Sequence, residues 1–134
     1  MLSYFVIALG GALGSAARFW ISGFVARRVG ETFPWDTLLV NVSGSFVIGF
    51  FATLTGPDGR WLVPTSFRQF FMFGLCGGYT TFSSFSLQSL SLAQEGEWLS
   101  VGLNATLSVG LCLLGVWLGA CPSNHFHIDS GLML

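Results

Sequence analysis

The sequence predicts an all-α integral membrane protein with four transmembrane helices, and three observations carry this prediction. Of the 134 residues, 52% are hydrophobic and only 8% are charged, whereas about a quarter of an ordinary soluble domain is charged. The hydrophobic residues cluster in four long runs, each close to the roughly 20 residues that a helix needs to cross a bilayer. Charged side chains lie between these runs or at their ends, and only Arg18 lies well inside one.

The four predicted spans follow one another with short connectors. They cover residues 4–26, 36–55, 69–92 and 99–120. Helix-breaking residues mark the connectors and the end of the last span: Pro34, Gly56, Pro57, Gly59, Pro64, Gly96 and Pro122. We therefore predict a single domain of four transmembrane helices over residues 1–120, followed by a disordered tail over residues 121–134.

Several classes of function are excluded by the kinds of residue present. The three cysteines are odd in number and have no CxxC spacing, so neither a disulfide framework nor a cysteine metal site is indicated. The basic pair Arg27 and Arg28 is too small for a nucleic-acid-binding surface. The interiors of the four spans contain no acidic residue, which a proton-driven transporter would ordinarily need. We expect a protein that is not an enzyme.

The arginines leave the orientation of the chain in the membrane open. One side receives Arg60 and Arg68, and the other receives Arg27, Arg28 and Arg18, so the two sides differ by one charge. An excess of basic residues normally marks the cytoplasmic side. A weak bias can still give one orientation; alternatively, the chain inserts both ways and two copies pair as an antiparallel homodimer with an isologous interface.

Three glycine pairs with GxxxG spacing indicate close helix packing: Gly10 and Gly14, Gly74 and Gly78, and Gly115 and Gly119. This spacing lets two helix backbones approach each other. Packing within one chain explains it as well as packing between two chains.

The third span contains the most informative segment, Gly74-Leu75-Cys76-Gly77-Gly78-Tyr79-Thr80-Thr81-Phe82-Ser83-Ser84-Phe85-Ser86. Two glycines and two threonines at mid-span favour a break in the helix, although an unbroken helix with a packing notch is an alternative. Non-helical backbone at membrane depth is tolerated only where it is buried in protein or lines a polar cavity. A break here would therefore mark a functional site.

Four side chains inside the spans suggest anion chemistry. Phe82 and Phe85 share one helical face, and the positive edges of their rings can hold a small anion in a passage too dry for full hydration. Asn41 offers two amide donors, although hydrogen bonding between helices explains an asparagine there equally well. Arg18 is costly at membrane depth unless it reaches the surface or a wet cavity, and we assign it to a pore entrance.

These motifs resemble the small dual-topology fluoride channels of bacteria, the CrcB or Fluc family. The resemblance covers about residues 3–120 and rests on three segments: Gly10-Gly11-Ala12-Leu13-Gly14-Ser15-Ala16-Ala17-Arg18, Thr37-Leu38-Leu39-Val40-Asn41 and Gly77-Gly78-Tyr79-Thr80-Thr81-Phe82-Ser83-Ser84-Phe85-Ser86. It implies an antiparallel homodimer in the bacterial cytoplasmic (inner) membrane, with two pores lined by both subunits. It further implies passive export of fluoride down its electrochemical gradient, which relieves fluoride toxicity.

The resemblance also implies roles for individual residues. Phe82 and Phe85 become the ring-edge contacts, and Asn41 becomes a donor that faces fluoride. A structural sodium ion is implied at the broken third helix, held by the main-chain oxygens of Gly77 and Thr80. The other predicted pore residues carry hydroxyl groups: Thr37, Ser83, Ser84 and Ser108.

Two features depart from the family pattern, and two other classes share parts of it. Gln88 stands where an acidic residue is common in the family, and the tail with His125 and His127 matches nothing in the pattern. A small multidrug resistance exporter would share the length and topology, but it should carry a glutamate in its first span, which residues 4–26 lack. A non-conducting assembly subunit would need GxxxG faces but no hydroxyls clustered around two rings.

Overall fold

A computed structural model describes residues 1–121, and within them every regular element is a helix. The elements are α1 (Leu2–Val29), α2 (Trp35–Leu54), α3 (Thr65–Gln69), a π-helical segment (Phe70–Cys76), α4 (Gly77–Tyr79), α5 (Phe82–Gln94) and α6 (Trp98–Ala120). In this part of the chain, α1, α2 and α6 are long and apolar enough to cross a membrane. The third span is present as two pieces, residues 65–79 and α5. The predicted all-α architecture with a broken third helix is confirmed.

The limits of the helices differ from those of the predicted spans by at most four residues. The largest difference is at the start of the third span, where the helix begins at Thr65, directly after Pro64, instead of at Gln69. Hydropathy alone misses this first turn because it is polar. The predicted domain limits stay a prediction, because residues 122–134, with His125 and His127, lie outside the described residues.

The third span is interrupted at Thr80 and Thr81. Both backbones are extended, with φ −80° and ψ 155° at Thr80 and φ −151° and ψ 115° at Thr81. Gly77, one of the glycines on which the predicted break rested, is itself helical, with φ −64° and ψ −39°. The break thus lies at the two threonines of the predicted segment, whose β-branched side chains favour extended backbone.

The glycines have a different purpose, because all three GxxxG pairs lie at helix contacts within the chain. A Cβ atom added at Gly74 would lie 2.9 Å from the Gly10 Cα atom, and one at Gly78 would lie 2.5 Å from the carbonyl oxygen of Gly11. The third pair packs α6 against α2, where a Cβ at Gly119 would collide with the backbone of Phe46. The first half of the third span is thereby held against α1, and α2 is held against α6.

Much of the apolar surface of the long helices is uncovered within one chain. Within one chain, only 11% of the 18-residue apolar stretch of α1 is buried, and only 17% of the corresponding stretch of α6. Each square ångström of apolar surface left in water costs about 25 cal/mol. Hydrocarbon or a second chain must therefore cover these helices, as expected for a multi-pass membrane protein.

We predict that Gly74→Ala destabilises the protein and that Gly102→Ala on α6 does not. The new methyl group at position 74 would press on Gly10 and on the carbonyl oxygen of Ile7, 2.9 Å away, whereas nothing lies within 4 Å of a Cβ at position 102. Overpacking of this kind lowers the free energy of unfolding by about 1–3 kcal/mol. Thermal unfolding of both variants in the same detergent measures the difference. Equal stability of the two variants would contradict the packing described here.

Candidate ion pathway

A cavity of about 370 Å³ lies beside the break in the third span. It is bounded by α2, by the residues around the break and by α6. The polar and aromatic side chains that line it include Asn41, Thr80, Thr81, Phe82, Phe85 and Ser108. No lining residue is charged, so any ion inside would be held by neutral groups.

The side chain of Asn41 closes the break by pairing with the Thr81 peptide groups. Its Nδ2 donates to the Thr81 carbonyl oxygen at 2.9 Å, and its Oδ1 accepts from the Thr81 N–H at 2.7 Å. A side-chain amide has the same donor and acceptor as a backbone peptide, so Asn41 replaces the helical partners that Thr81 has lost. This pair leaves the second Nδ2 hydrogen free, and Asn41 is one of the residues that line the cavity.

Close approach of α2 to the break depends on Gly44, one helical turn after Asn41. A Cβ atom at this position would collide with the Thr80 side chain and would lie 3.0 Å from the ring of Tyr79. The Tyr79 hydroxyl in turn lies 2.9 Å from the hydroxyl of Ser43. Ser43 and Gly44 therefore fit α2 closely against Tyr79 and Thr80, where the first half of the third span ends.

Thr81 begins the second half of the span as the N-cap of α5. Its Oγ1 accepts from the backbone N–H of Ser84 at 3.2 Å and lies 3.1 Å from the Ser84 hydroxyl and 3.3 Å from that of Ser83. An N-cap hydroxyl satisfies one of the donors that the first turn of a helix leaves without a partner. The cap is needed here because hydrocarbon offers no hydrogen-bond partner to a free backbone N–H.

These contacts divert the donors of two carbonyl groups. In an α-helix the carbonyl of residue i accepts from the N–H of residue i+4. The N–H of Thr81 is directed to Asn41 and that of Ser84 to the Thr81 hydroxyl. The carbonyl groups of Gly77 and Thr80 therefore lack their usual helical donors, at a point next to the cavity.

Phe82 and Phe85 place their rings together at the mouth of the cavity. Their ring centroids lie 5.3 Å apart with the planes tilted by 49°. Phe82 is 75% exposed within the single chain, whereas Phe85 is partly covered. A ring so open at membrane depth faces either lipid or a second chain.

A short chain of buried polar side chains runs from the cavity along α6. Ser108 donates to Asn104 Oδ1 at 3.3 Å, and Asn104 Nδ2 donates to Ser89 Oγ on α5 at 3.0 Å. Asn104 is only 1% exposed. The chain joins α5 to α6 and holds the Ser108 hydroxyl at the cavity wall.

The predicted site residues fall into two groups. Asn41, Phe82, Phe85, Ser108 and the cation-site pair Gly77 and Thr80 all line the cavity. Ser83 and Ser84 lie outside it, at the cap of α5. Thr37 is buried in the first turn of α2 and Arg18 is half-buried on α1, and neither lines the cavity of the single chain. Their roles stay predictions.

Two residues that hold the site together were not among the predicted site residues. Thr81 supplies both the peptide that Asn41 pairs with and the cap of α5. Asn104 supports Ser108 from behind the cavity wall. Asn104 carries the signal that singled out Asn41, an amide inside an apolar run, whereas nothing in the sequence distinguishes Thr81 from Thr80.

Comparison with known proteins identifies the family. The family described as "CrcB-like protein, Camphor Resistance (CrcB)" matches residues 5–120. The chain belongs to this family. The match covers every residue that lines the cavity, so the cavity lies wholly within the part of the chain that the CrcB family shares.

Individual CrcB relatives are similar over nearly their whole length. A protein of Rhodospirillum rubrum is 63% identical over 118 residues, which is 88% of this chain and 92% of that protein. A protein of Paramagnetospirillum magneticum is 60% identical over 89% of this chain and 93% of its own length. One of Opitutus terrae is 61% identical over 89% and 90%. All three are named "Fluoride-specific ion channel FluC".

We predict that Asn41→Leu frees the peptide groups of Thr81, because leucine has a similar volume but neither donor nor acceptor. Loss of a hydrogen bond worth about 1.4 kcal/mol speeds exchange of the protected N–H roughly tenfold. Hydrogen exchange at Thr81 measures this effect. Ser45→Ala is the matched control, since Ser45 lies on the same helix and lines the same cavity. Unchanged exchange in Asn41→Leu would show that the amide does not hold the break.

Proposed function

We propose that this protein is a channel that passes fluoride passively down its electrochemical gradient. The observation that carries the proposal is the cavity at the helix break, which is uncharged and lined by two phenylalanine rings and neutral donors. The names of relatives that are 60–63% identical support the choice of ion. Export through the bacterial inner membrane would relieve fluoride toxicity.

The lining explains how a small, strongly hydrated anion could be accepted without a fixed positive charge. The edges of the Phe82 and Phe85 rings carry positive partial charge, and the free Nδ2 hydrogen of Asn41 adds a hydrogen-bond donor. The Ser108 hydroxyl becomes a further donor when it turns from Asn104 towards the cavity. Several weak neutral contacts suit a channel, because an ion must bind well enough to enter and weakly enough to leave.

We propose that two chains form the channel as an antiparallel homodimer with two pores. The exposed ring of Phe82 and the open cavity support a second chain, because one chain encloses neither. The near-balanced arginines support insertion in both orientations. In an antiparallel pair, each pore would take residues from both chains. Arg18, Thr37, Ser83 and Ser84, which do not line the cavity of one chain, keep their proposed roles at the entrance and along the path.

The carbonyl groups of Gly77 and Thr80, which lack their usual helical donors, support the proposal of a structural sodium ion at the dimer axis. Backbone carbonyls without partners are costly in hydrocarbon, and hard oxygen ligands suit a small hard cation. A twofold axis next to the break would bring two such carbonyls from each chain to one point. The ion would hold the two breaks together, with fluoride passing on either side.

We predict that Phe82→Ile and Phe85→Ile lower fluoride efflux from liposomes at least about tenfold, because bulk is kept while the positive ring edge is lost. Liposomes that contain the wild-type protein should release fluoride and retain chloride. Phe5→Ile is the control, since Phe5 lies in the first turn of α1, away from the cavity lining, and is 68% exposed. Fluoride efflux at the wild-type rate in both Phe82→Ile and Phe85→Ile would mean that the pore runs elsewhere.

We predict that replacement of sodium by a large organic cation on both faces of the liposomes lowers fluoride efflux and the dimer fraction together. Thr80→Ser should keep a wild-type response to sodium, because the proposed ligand is a main-chain oxygen. The measurement is efflux alongside cross-linking or single-molecule counting of subunits. Full efflux with an intact dimer in the absence of sodium is the result that would refute the cation site.

A further inference from the structure

A second cleft lies between the connector that joins α2 to α3 and the first turns of the third span. Residues 55–64 fold back on the end of α2, where the Trp61 N–H donates to the Leu54 carbonyl at 3.0 Å. Between this loop and the start of the third span lies a cleft of about 450 Å³. Because the loop joins two spans, the cleft lies where hydrocarbon meets the polar headgroups.

The polar end of the cleft is a guanidinium group with donors to spare. Arg68 is half-buried, and its Nε donates to Thr55 Oγ1 at 3.1 Å. Thr55 is 8% exposed and donates its hydroxyl hydrogen to the Phe51 carbonyl at 2.8 Å. The guanidinium group is thus held by a neutral hydroxyl, and this contact does not compensate its charge. Its two terminal nitrogens can still form the paired hydrogen bonds that a phosphate accepts.

The other end of the cleft is apolar and uncovered. Leu62 is 95% exposed, Phe73 is 69% exposed and Trp61 is 57% exposed. Tryptophan is enriched at the boundary between membrane and water, whereas leucine and phenylalanine belong in hydrocarbon. A cation at one end and bare apolar side chains at the other match the two ends of a phospholipid.

A cleft of the same size at the connector between α1 and α2 provides a comparison within the molecule. It also measures about 450 Å³ and contains one arginine, Arg27, beside Phe19 and Trp20. There, however, the carboxylate of Glu31 also lines the cleft, and the Nε of Arg27 donates to the carbonyl of Gly23 on its own helix at 3.0 Å. No carboxylate lines the Arg68 cleft, so of the two linings only that of the Arg68 cleft carries net positive charge.

We propose that the Arg68 cleft binds an anionic phospholipid, with the phosphate on the guanidinium group and the acyl chains along Leu62 and Phe73. Arg60, exposed in the same loop, adds positive charge, which Asp58 two residues earlier partly offsets. The Arg27 cleft does not bind such a lipid selectively, because Glu31 repels the phosphate. The site shares no lining residue with the cavity at the break, and it fastens the connector to the headgroup layer.

The test is native mass spectrometry of the full-length protein in neutral detergent, titrated with dioleoylphosphatidylglycerol and, separately, with dioleoylglycerol, which has the same tails without a phosphate. One basic side chain near anionic lipid contributes a factor of about five in affinity. Arg68→Gln should weaken phosphatidylglycerol binding about fivefold or more and leave dioleoylglycerol binding unchanged. Arg27→Gln should leave both unchanged. Equal losses in the two variants, or none in Arg68→Gln, would overturn the proposal.

Two further arms separate the alternatives. Excess inorganic phosphate should not displace the lipid, and displacement would mean a site for free anions. If Arg68→Gln instead lowers the dimer fraction while lipid binding persists, a second copy of the chain covers the cleft and the lipid site is wrong. Should Arg68→Gln fail to fold, Thr55→Val decides: the loosened guanidinium should lose about two- to fivefold in phosphatidylglycerol affinity, and unchanged affinity would refute the site.

Discussion

The structure depends on one constraint, that backbone polar groups at membrane depth must find their partners within the protein. A helix satisfies them automatically, and a broken helix does not, at a cost of several kcal/mol for each group left alone. The break at Thr80 and Thr81 is therefore possible only because other side chains complete it. Asn41 pairs with the Thr81 peptide groups, the Thr81 hydroxyl caps α5, and Ser15 of α1 donates to the carbonyl of Gly78 at 3.4 Å.

The break also lies at the seam between two packing units. Glycine contacts hold residues 65–79 against α1, while α6 packs on α2 and, through Asn104 and Ser89, on α5. The cavity opens between the units, and Asn41 of α2 crosses the seam to reach Thr81. The phenylalanine rings stand at the same seam, where one chain alone leaves Phe82 largely bare. Close packing at the glycines thus fixes where the cavity beside the break opens.

The sequence predicted the number of spans and the break because both follow from composition along the chain. It placed the break among two glycines and two threonines, and the structure narrows it to Thr80 and Thr81. The sequence could not separate these residues, because a glycine signals flexibility as readily as close packing, and only the structure shows Gly78 packed against Gly11. The pairing of Asn41 with Thr81 was equally out of reach, because it joins residues 40 positions apart. Six of the predicted site residues line the cavity, whereas Ser83 and Ser84 act at a helix cap that forms only once the break is placed.

The π-helical segment Phe70–Cys76 directly precedes the break. Its turns are wider than α-helical turns, and π-helical bulges in general are rare and concentrated at functional sites. A wider turn takes more residues to complete, so this segment holds about one residue more than α-helical winding would need for the same rotation. Deleting one residue and restoring α-helical winding would therefore leave Thr81 facing Asn41. The same deletion between Asn41 and Gly44 in α2 has no such reserve, and it would rotate these two residues relative to each other by about 100°. The π-helical segment is a place where the third span can lose one residue of length and still present the break to α2.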